Sequence, residues 1–155
     1  MVHREISRRA MSLLELTIVV AILGLLAIAA VTRFGQDSLG NGGAEGFARK
    51  LALSLVQARR STISTGDNHY LQLTSSGGSV TSFALIRRAS GGDTQVDETR
   101  SVPKDVTVTS ADSVLEFDFE GSALGFYSVT SAGPDRSWSV SVVTLTGAVR
   151  VTEIP

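Results

Sequence analysis

An uninterrupted apolar segment, preceded directly by a carboxylate, is the feature that most constrains this chain. Residues 16–31 read LTIVVAILGLLAIAAV and contain one hydroxyl and no charge. With Leu13 and Leu14 added, a helix that rises about 1.5 Å per residue would cross most of a hydrocarbon layer roughly 30 Å thick. The sequence therefore predicts one membrane-spanning helix near the N-terminus.

Basic residues before the segment predict its orientation. Arg4, Arg8 and Arg9 precede it, against a single acid, Glu5. By the positive-inside rule, the N-terminus stays in the cytoplasm and the C-terminal part is exported. The chain has no cysteine, which excludes disulfides, thiolate metal sites and cysteine nucleophiles from that exported part.

Two interpretations of the segment are open at this point. One is a cleaved signal peptide, because Ala27, Ile28 and Ala29 form an A-x-A site behind a basic region, and cleavage there would release a secreted β-domain. The other is a retained segment, which Glu15 favours. A carboxylate at one end of an apolar run costs about 1–3 kcal/mol of insertion free energy, and a discarded signal has no reason to carry that cost.

The stretch Arg8–Leu26 (RRAMSLLELTIVVAILGLL) resembles the class III signal of type IV pilins and type II secretion pseudopilins. That signal has a basic leader, a small residue, and then an apolar residue that opens a helix with glutamate at its fifth position. Glu15 is fifth when counted from Met11. The resemblance implies that a prepilin peptidase cleaves between Ala10 and Met11 and that Met11 is then N-methylated. Ala10 stands where the family usually has glycine, and Met11 where it usually has phenylalanine.

With such a signal the chain divides into four parts. Residues 1–10 are the leader, 11–33 the transmembrane and filament-core helix, 34–46 a glycine-rich hinge and 47–155 a periplasmic head. The resemblance implies a single-pass inner-membrane protein that assembles into a periplasmic or extracellular filament. Its implied partners are other pilin or pseudopilin subunits, the prepilin peptidase, an inner-membrane assembly platform and the lipid bilayer. We expect a structural subunit, a minor pseudopilin, with no catalytic role and no cofactor.

The charges of the motif also have a physical rationale of their own. Cleavage would leave a positive amine on Met11 near the membrane surface, where Glu15 of a staggered neighbouring subunit could neutralise it. In a medium of low dielectric constant, such a pair is favoured over either charge alone. Glu15 is therefore predicted to fix the register of subunits during assembly.

Glycine is concentrated between the apolar segment and the rest of the chain. Residues 34–46 read FGQDSLGNGGAEG and contain five glycines. Each glycine inside a helix costs about 1 kcal/mol relative to alanine. We therefore expect this stretch to interrupt or fray the helix, either as a hinge that lets subunits adapt in a filament or as a plain linker.

Helical periodicity returns over residues 44–64. Apolar positions recur there at spacings of three and four, namely Phe47, Leu51, Leu55, Ala58 and then Thr62 or Ile63. Gly66 is the predicted helix stop. The segment Leu51–Gly66 is also similar to the alanine-arginine helix in the GspH/FimT branch of minor pseudopilins. We expect this helix to lie on a β-sheet.

Beyond Gly66 the pattern is typical of β-structure. Residues 70–74 and 80–86 predict a hairpin around the turn at 75–78. Five further strands are predicted, at 106–109, 114–119, 124–129, 137–145 and 148–152. Behind one helix, these strands predict an α+β head with an antiparallel sheet or a small sandwich. The stretch Val114–Gly125 (VLEFDFEGSALG) resembles the F-x-x-x-G hairpin of GspH/FimT-type heads.

Residues with catalytic or metal-binding potential are few. His69 and Asp67 are the only neighbouring histidine–acid pair in the head, and no G-x-S-x-G motif accompanies them. We interpret them as a loop histidine beside a turn-forming aspartate. Glu116, Asp118 and Glu120 alternate along a predicted strand and so share one face. Spacing alone does not close a calcium site, and we interpret them as a solvated strand face.

A head that binds DNA or an adhesion partner is the remaining alternative. The pairs Arg59–Arg60 and Arg87–Arg88 raise it, because phosphate contacts supply nucleic-acid affinity. However, three of the 14 basic residues but only two of the 15 acidic ones precede residue 32, so the remainder is slightly acidic. We therefore do not expect DNA as the main partner, and we interpret Trp138 and Tyr127 as core or rim aromatics.

Overall fold

The computed structural model describes residues 13–155, except for the side chains of residues 27–41. The predicted leader, with Arg4, Arg8 and Arg9, and the predicted cleavage junction of Ala10 and Met11 lie outside the described residues. The described elements follow in this order: α1 Leu13–Thr65, β1 His69–Ser76, β2 Ser79–Arg87, β3 Thr94–Gln95, β4 Arg100–Ser101, β5 Thr107–Ser110, β6 Val114–Phe117, β7 Tyr127–Ala132, β8 Ser137–Val143 and β9 Ala148–Ile154.

Helix α1 is continuous over 53 residues. Its backbone stays helical through residues 34–46, so the expected interruption of the helix by glycine is corrected. At the end of this stretch, packing against the head explains why the backbone remains helical. A Cβ on Gly43 would lie 3.3 Å from Cγ2 of Val106, and Ala44 is fully buried. Tertiary contacts of this kind offset a propensity cost of about 1 kcal/mol per glycine.

The chain divides into two compact units between Gln36 and Asp37. In the second unit, the strands form two antiparallel sheets. The first has the order β3-β2-β1-β6, with β4 also paired to β2, and the second has the order β5-β7-β8-β9. Together with the helix, the two sheets confirm the predicted α+β class.

One face of α1 supplies the helical part of the core in this unit. The predicted positions Phe47, Leu51, Leu55 and Ala58 are buried, and at the last alternative Thr62 is fully buried whereas Ile63 is 50% exposed. Phe47 meets Phe83 of β2 edge-on, with ring centroids 5.8 Å apart. The side chains that complete this hydrophobic cluster come mainly from both sheets, and those that are almost fully buried include Leu71, Phe83, Leu115, Phe117, Val129, Val140 and Val142.

The end of α1 agrees with the prediction. Gly66 has a φ of 76°, a left-handed conformation that glycine adopts without steric cost. Its N–H donates to the carbonyl of Thr62 at 2.9 Å. The Thr62 hydroxyl also accepts the backbone N–H of His69 at 3.0 Å, so the helix is joined directly to the start of β1.

The predicted strands correspond to observed ones, with shifted ends. The hairpin is formed by β1 and β2, which pair from His69 with Arg87 to Ser76 with Ser79. The strand predicted at 114–119 ends at Phe117, and the one predicted at 124–129 begins only at Tyr127. The two-residue strands β3 and β4 were not predicted, because such short segments carry no periodicity.

In the part of the chain that the structure describes, no helix combines the length and the hydropathy required for a membrane span. The predicted membrane helix, residues 11–33, lies only partly within that part.

Candidate assembly site

The first described turns of α1 expose apolar side chains on every side. Ten large aliphatic residues between positions 13 and 26 are 40–81% exposed: Leu13, Leu14, Leu16, Ile18, Val19, Val20, Ile22, Leu23, Leu25 and Leu26. A helix that is apolar all round normally lies inside a membrane or a protein assembly. These residues therefore form a surface that needs cover from outside the described head.

Glu15 lies in the first turn of this helix and is exposed. Glu15 is also the only charged residue from 13 to 26. Within the described residues, one negative charge therefore accompanies the apolar surface of residues 13–26. The partner that the sequence predicts for it, the Met11 amine, lies outside the described residues.

A close approach of backbone and side chains joins the C-terminal end of α1 to two turns of the head. Arg59, a candidate for DNA contact in the sequence, instead donates from Nε to the carbonyl of Gly121 at 2.9 Å. A Cβ on Gly147 would lie only 2.1 Å from that same oxygen and 2.7 Å from Arg59 Nε. Gly121 is the glycine of the predicted F-x-x-x-G hairpin, and Phe117 at its start is fully buried. The Arg59 side chain therefore stabilises the head through its hydrogen bond to Gly121.

A second polar cluster holds the loop after β2 against the first sheet. Arg88 donates to both carboxylate oxygens of Glu116, from Nε at 2.8 Å and from Nη2 at 2.9 Å, and Asn68 donates to the same carboxylate at 3.0 Å. The hydrogen bond to Glu116 raises the pKa of the Arg88 guanidinium. Bidentate pairs of this kind fix geometry as well as adding energy.

Tyr70 and Asp93 extend this cluster. The Arg88 guanidinium lies 4.8 Å from the centre of the Tyr70 ring, a cation–π distance. The Tyr70 hydroxyl donates to Asp93 at 2.7 Å. Burial, and then the hydrogen bond to the Asp93 carboxylate, raise the pKa of Tyr70. Each of these side chains has a partner within the head, so we interpret the cluster as stabilising the fold.

The three alternating acids do not form one solvated face. The strand ends at Phe117, so the alternation stops after Glu116, which is buried against Arg88. Asp118 instead accepts the backbone N–H groups of Glu120 and Ser122 at 3.0 and 2.9 Å, which fixes the turn. Among the described residues, no group of histidine or acidic side chains is placed to hold a metal ion.

His69 differs from the predicted loop histidine. It begins β1 and is 2% exposed, with Nδ1 2.9 Å from the backbone carbonyl of Asp67. The Asp67 carboxylate pairs with Arg87 instead. The two residues are therefore neighbours, but the carboxylate does not orient the imidazole as a catalytic dyad requires.

The basic pairs are mostly engaged within the head. Arg59 and Arg88 make the contacts described above, and Arg87 pairs with Asp67. Trp138 and Tyr127 are 6% and 7% exposed, which confirms them as core aromatics and leaves neither available for stacking on bases. Arg60 is the one of these four arginines whose side chain makes no ion pair or hydrogen bond within the described residues.

A long N-terminal helix whose C-terminal half packs against antiparallel sheets is a pilin-like fold, and comparison with solved structures bears this out. The minor pseudopilin EpsH from the Type 2 Secretion System of Vibrio cholerae matches with a TM-score of 0.60 and 11% identity, over 70% of this chain and 95% of that chain. The type IV minor pilin FimU of Pseudomonas aeruginosa matches with a TM-score of 0.60 and 14% identity, over 74% and 91%. At these identities the likeness shows the fold. No protein-family model and no curated protein matches the sequence.

Sequence reasoning missed both polar contacts in the head. Arg59 and Gly121 are 62 positions apart, and Arg88 and Glu116 are 28 apart. No local pattern reveals which distant residues will meet. The one usable signal was the F-x-x-x-G resemblance, which marked Gly121 without giving its partner.

Proposed function

We propose that the chain is a structural subunit of a pilin-like filament, of the minor pseudopilin type, serving a type II secretion pseudopilus or a type IV pilus-like filament. The observation that carries the proposal is α1, which exposes apolar side chains all round over residues 13–26 and holds a single acid, Glu15, in its first turn. The shared fold of EpsH and FimU, both minor filament subunits by name, supports it.

Membrane anchoring and processing are part of the proposal. Residues 11–33 would anchor the chain in the inner membrane, with Arg4, Arg8 and Arg9 retained on the cytoplasmic side and the head in the periplasm. A prepilin peptidase would cleave between Ala10 and Met11, and Met11 would then be N-methylated. The apolar surface of α1 would pass from lipid to neighbouring subunits as the filament grows.

Glu15 would act during that transfer. A charged carboxylate is costly in an apolar medium, and an opposite charge within contact distance offsets that cost. The amine of Met11 on an adjacent subunit is such a charge once the leader is removed. The pair favours one axial stagger between subunits, because other staggers leave both charges unpaired. The chain itself would catalyse no reaction, and the assembly platform and peptidase would be separate proteins.

N-terminal sequencing of the protein isolated from its host tests this proposal. The expected N-terminus is Met11, and without the peptidase the ten leader residues should remain. Two matched variants sharpen the result: Ala10→Leu should block processing, and Ala29→Leu should leave it unchanged. A mature chain that begins at Ala30 would mean that the segment is a discarded signal peptide and would overturn the filament proposal.

A further inference from the structure

Two neighbouring loops of the head expose a cluster of large apolar side chains. The loops are residues 118–126 and 144–147, and they are joined by hydrogen bonds from Ala123 N–H to the Thr144 carbonyl at 2.9 Å and from the Ser122 hydroxyl to the Leu145 carbonyl at 3.1 Å. Their large apolar side chains are 57–87% exposed. We call this surface the loop patch, and it consists of Phe119, Leu124, Phe126 and Leu145.

The loop patch carries two acids. Asp118 and Glu120 lie on its first loop, and neither makes an ion pair within residues 13–26 and 42–155. The loop also contacts one cation, Arg59, which is half-buried and donates to the Gly121 carbonyl. The contact with Arg59 also places the loop patch beside the last two turns of α1. The patch is therefore apolar with an acidic edge.

A second apolar surface, half-buried except for Leu53, lies earlier on α1. Leu53, which is 70% exposed, and Val56 separate two shallow grooves. One groove, of about 290 Å³, lies between α1 and β9 and is lined by Ala52, Val149 and Val151 together with Arg49. The other is lined by Arg60. We call this surface the helix strip, and it consists of Ala52, Leu53, Val56, Val149 and Val151.

The edges of the helix strip are basic. Arg49 lies on one side, paired with Glu45 at 2.7 Å, and Arg60 on the other. Arg60 is exposed and, as noted above, has no ion pair in the described part of the chain. Arg60 thus gives one edge of the helix strip an unpaired positive charge among the described residues, whereas the loop patch carries the acids Asp118 and Glu120.

We propose that the loop patch of one copy of this chain docks on the helix strip of a second copy. A patch facing another patch would bring acids together, and a strip facing another strip would bring arginines together, whereas a patch facing a strip matches both the charges and the apolar areas. The contact is therefore heterologous, and each copy retains a free patch at one end and a free strip at the other.

The axial geometry is compatible with a filament. The loop patch lies at the level of Arg59 and Ile63 on α1, and the helix strip lies around Leu53. This difference of six to ten residues corresponds to an axial offset of roughly 9–15 Å at 1.5 Å per residue. Copies with the same polarity and that offset would bring the two surfaces together. The inference deepens the proposed function and rests on it for this common polarity.

Site-directed crosslinking of the full-length protein tests the contact, because the chain has no cysteine of its own. Two differently tagged copies are produced together in membranes, one with Leu53→Cys and one with Leu145→Cys, and treated with a short bismaleimide. We expect a mixed dimer at a yield about fivefold above the background. The matched control replaces Leu145→Cys by Thr74→Cys, an exposed position outside both surfaces, and should give background only.

A charge exchange then tests the specificity. Glu120→Lys on the copy with the patch cysteine, or Arg60→Glu on the copy with the strip cysteine, should each lower the yield about threefold, and the two together should restore it. Glu98→Lys, an exposed acid elsewhere, should have no effect. Background yield for the mixed pair, a yield indifferent to the charge changes, or crosslinking of Leu145→Cys only to another protein would each overturn the contact.

These results separate this inference from the proposed function. If the chain is processed at Met11 and enters filaments without the mixed crosslink, the filament role stands and the contact between copies is refuted. If the mixed crosslink forms but the mature chain begins at Ala30, the contact between copies stands and the membrane-anchored filament role is refuted.

Discussion

The two halves of α1 place their apolar side chains in opposite environments. Over residues 13–26 the large aliphatic side chains are all exposed, and they point in every direction around the helix. From Phe47 to Thr62, in contrast, the buried side chains share one face and pack into the head. The second half is therefore stabilised by its own domain, whereas the described residues leave the apolar side chains of the first half uncovered.

On this comparison, the first half of α1 should affect assembly, whereas the second half should affect the stability of the fold. Removing an apolar side chain from the second half should weaken the fold, and removing one from the first half should not. Changing the single charge of the first half should weaken assembly alone. Helices in folded proteins owe most of their stability to tertiary packing, so the two halves should respond independently.

The largest effect is expected at Glu15. Glu15→Gln removes the charge with little change in size, and the Met11 amine of a neighbour would then lie unpaired in an apolar assembly, which we expect to reduce incorporation into filaments at least about tenfold. Incorporation is measured as the amount of the protein in isolated filaments relative to the membrane fraction. Glu98→Gln, which removes an exposed acid of the head outside the loop patch and the helix strip, is the control and should leave incorporation unchanged. Equal incorporation of Glu15→Gln and the natural protein would contradict this prediction.

Leucine-to-alanine changes in the two halves test the comparison itself. Leu55 is fully buried and Leu23 is 59% exposed. Leu55→Ala should lower the free energy of unfolding of the head by about 3 kcal/mol through lost burial and a residual cavity, whereas Leu23→Ala should change it by less than about 0.5 kcal/mol. The single tryptophan, Trp138, is buried in the head, so its fluorescence during urea unfolding in detergent reports the difference. Similar losses of unfolding free energy for both variants would refute the prediction that only the second half of α1 stabilises the head.

The sequence predicted the buried face of the second half because its spacing of three and four residues is a local signal. Thr62 rather than Ile63 completes that face, because Thr62 hydrogen-bonds both the Ala58 carbonyl and the His69 N–H and so satisfies its hydroxyl when buried. The glycine-rich stretch was misjudged because intrinsic propensity is a weak guide where packing is available. Contact of Gly43 with Val106 joins residues 63 positions apart, and no local pattern contains it.

The candidate assembly site could be predicted only in part, for a similar reason. Glu15 and its apolar surroundings are adjacent in sequence and were recognised directly. The sheet order was not, because β1 pairs with β6 across some 40 intervening residues as well as with its hairpin partner β2. The loop patch depends on that order, since its two loops meet only after the sheets have formed.

Glycine substitutions measure how much the close packing of Gly147 against Gly121 and Arg59 contributes to the stability of the head. Gly147 and Gly77 both have a φ of 60°, but a Cβ on Gly147 would collide with the Gly121 carbonyl and Arg59, whereas Gly77 has open space. Gly77→Ala should cost about 1 kcal/mol for the backbone conformation alone, and Gly147→Ala about 2–3 kcal/mol. Because both variants share the backbone cost, the difference isolates the contact of Gly147 with the Gly121 carbonyl and Arg59. Equal losses in urea unfolding would show that the contact is not under strain.

The smallest effect concerns alkaline pH, which should weaken only the head, because residues 13–26 contain no tyrosine. Burial raises the pKa of Tyr127 above its usual value near 10. The folded state therefore holds the phenolic proton more tightly than the unfolded state. The resulting stability is complete below about pH 10 and is lost as the pH rises through the folded-state pKa.

Tyr127→Phe tests this contribution. The hydroxyl accepts the Glu116 N–H at 3.2 Å, so its loss should cost about 1 kcal/mol at neutral pH. Between about pH 10 and pH 11, however, the variant should lose less stability than the natural protein, because one raised pKa is gone. Part of the alkaline loss should remain, since the pKa of Tyr70 is raised as well, and Tyr70→Phe is the matched comparison. Urea unfolding followed by Trp138 fluorescence measures both slopes, and an unchanged slope in Tyr127→Phe would show that this phenol does not contribute to the alkaline loss.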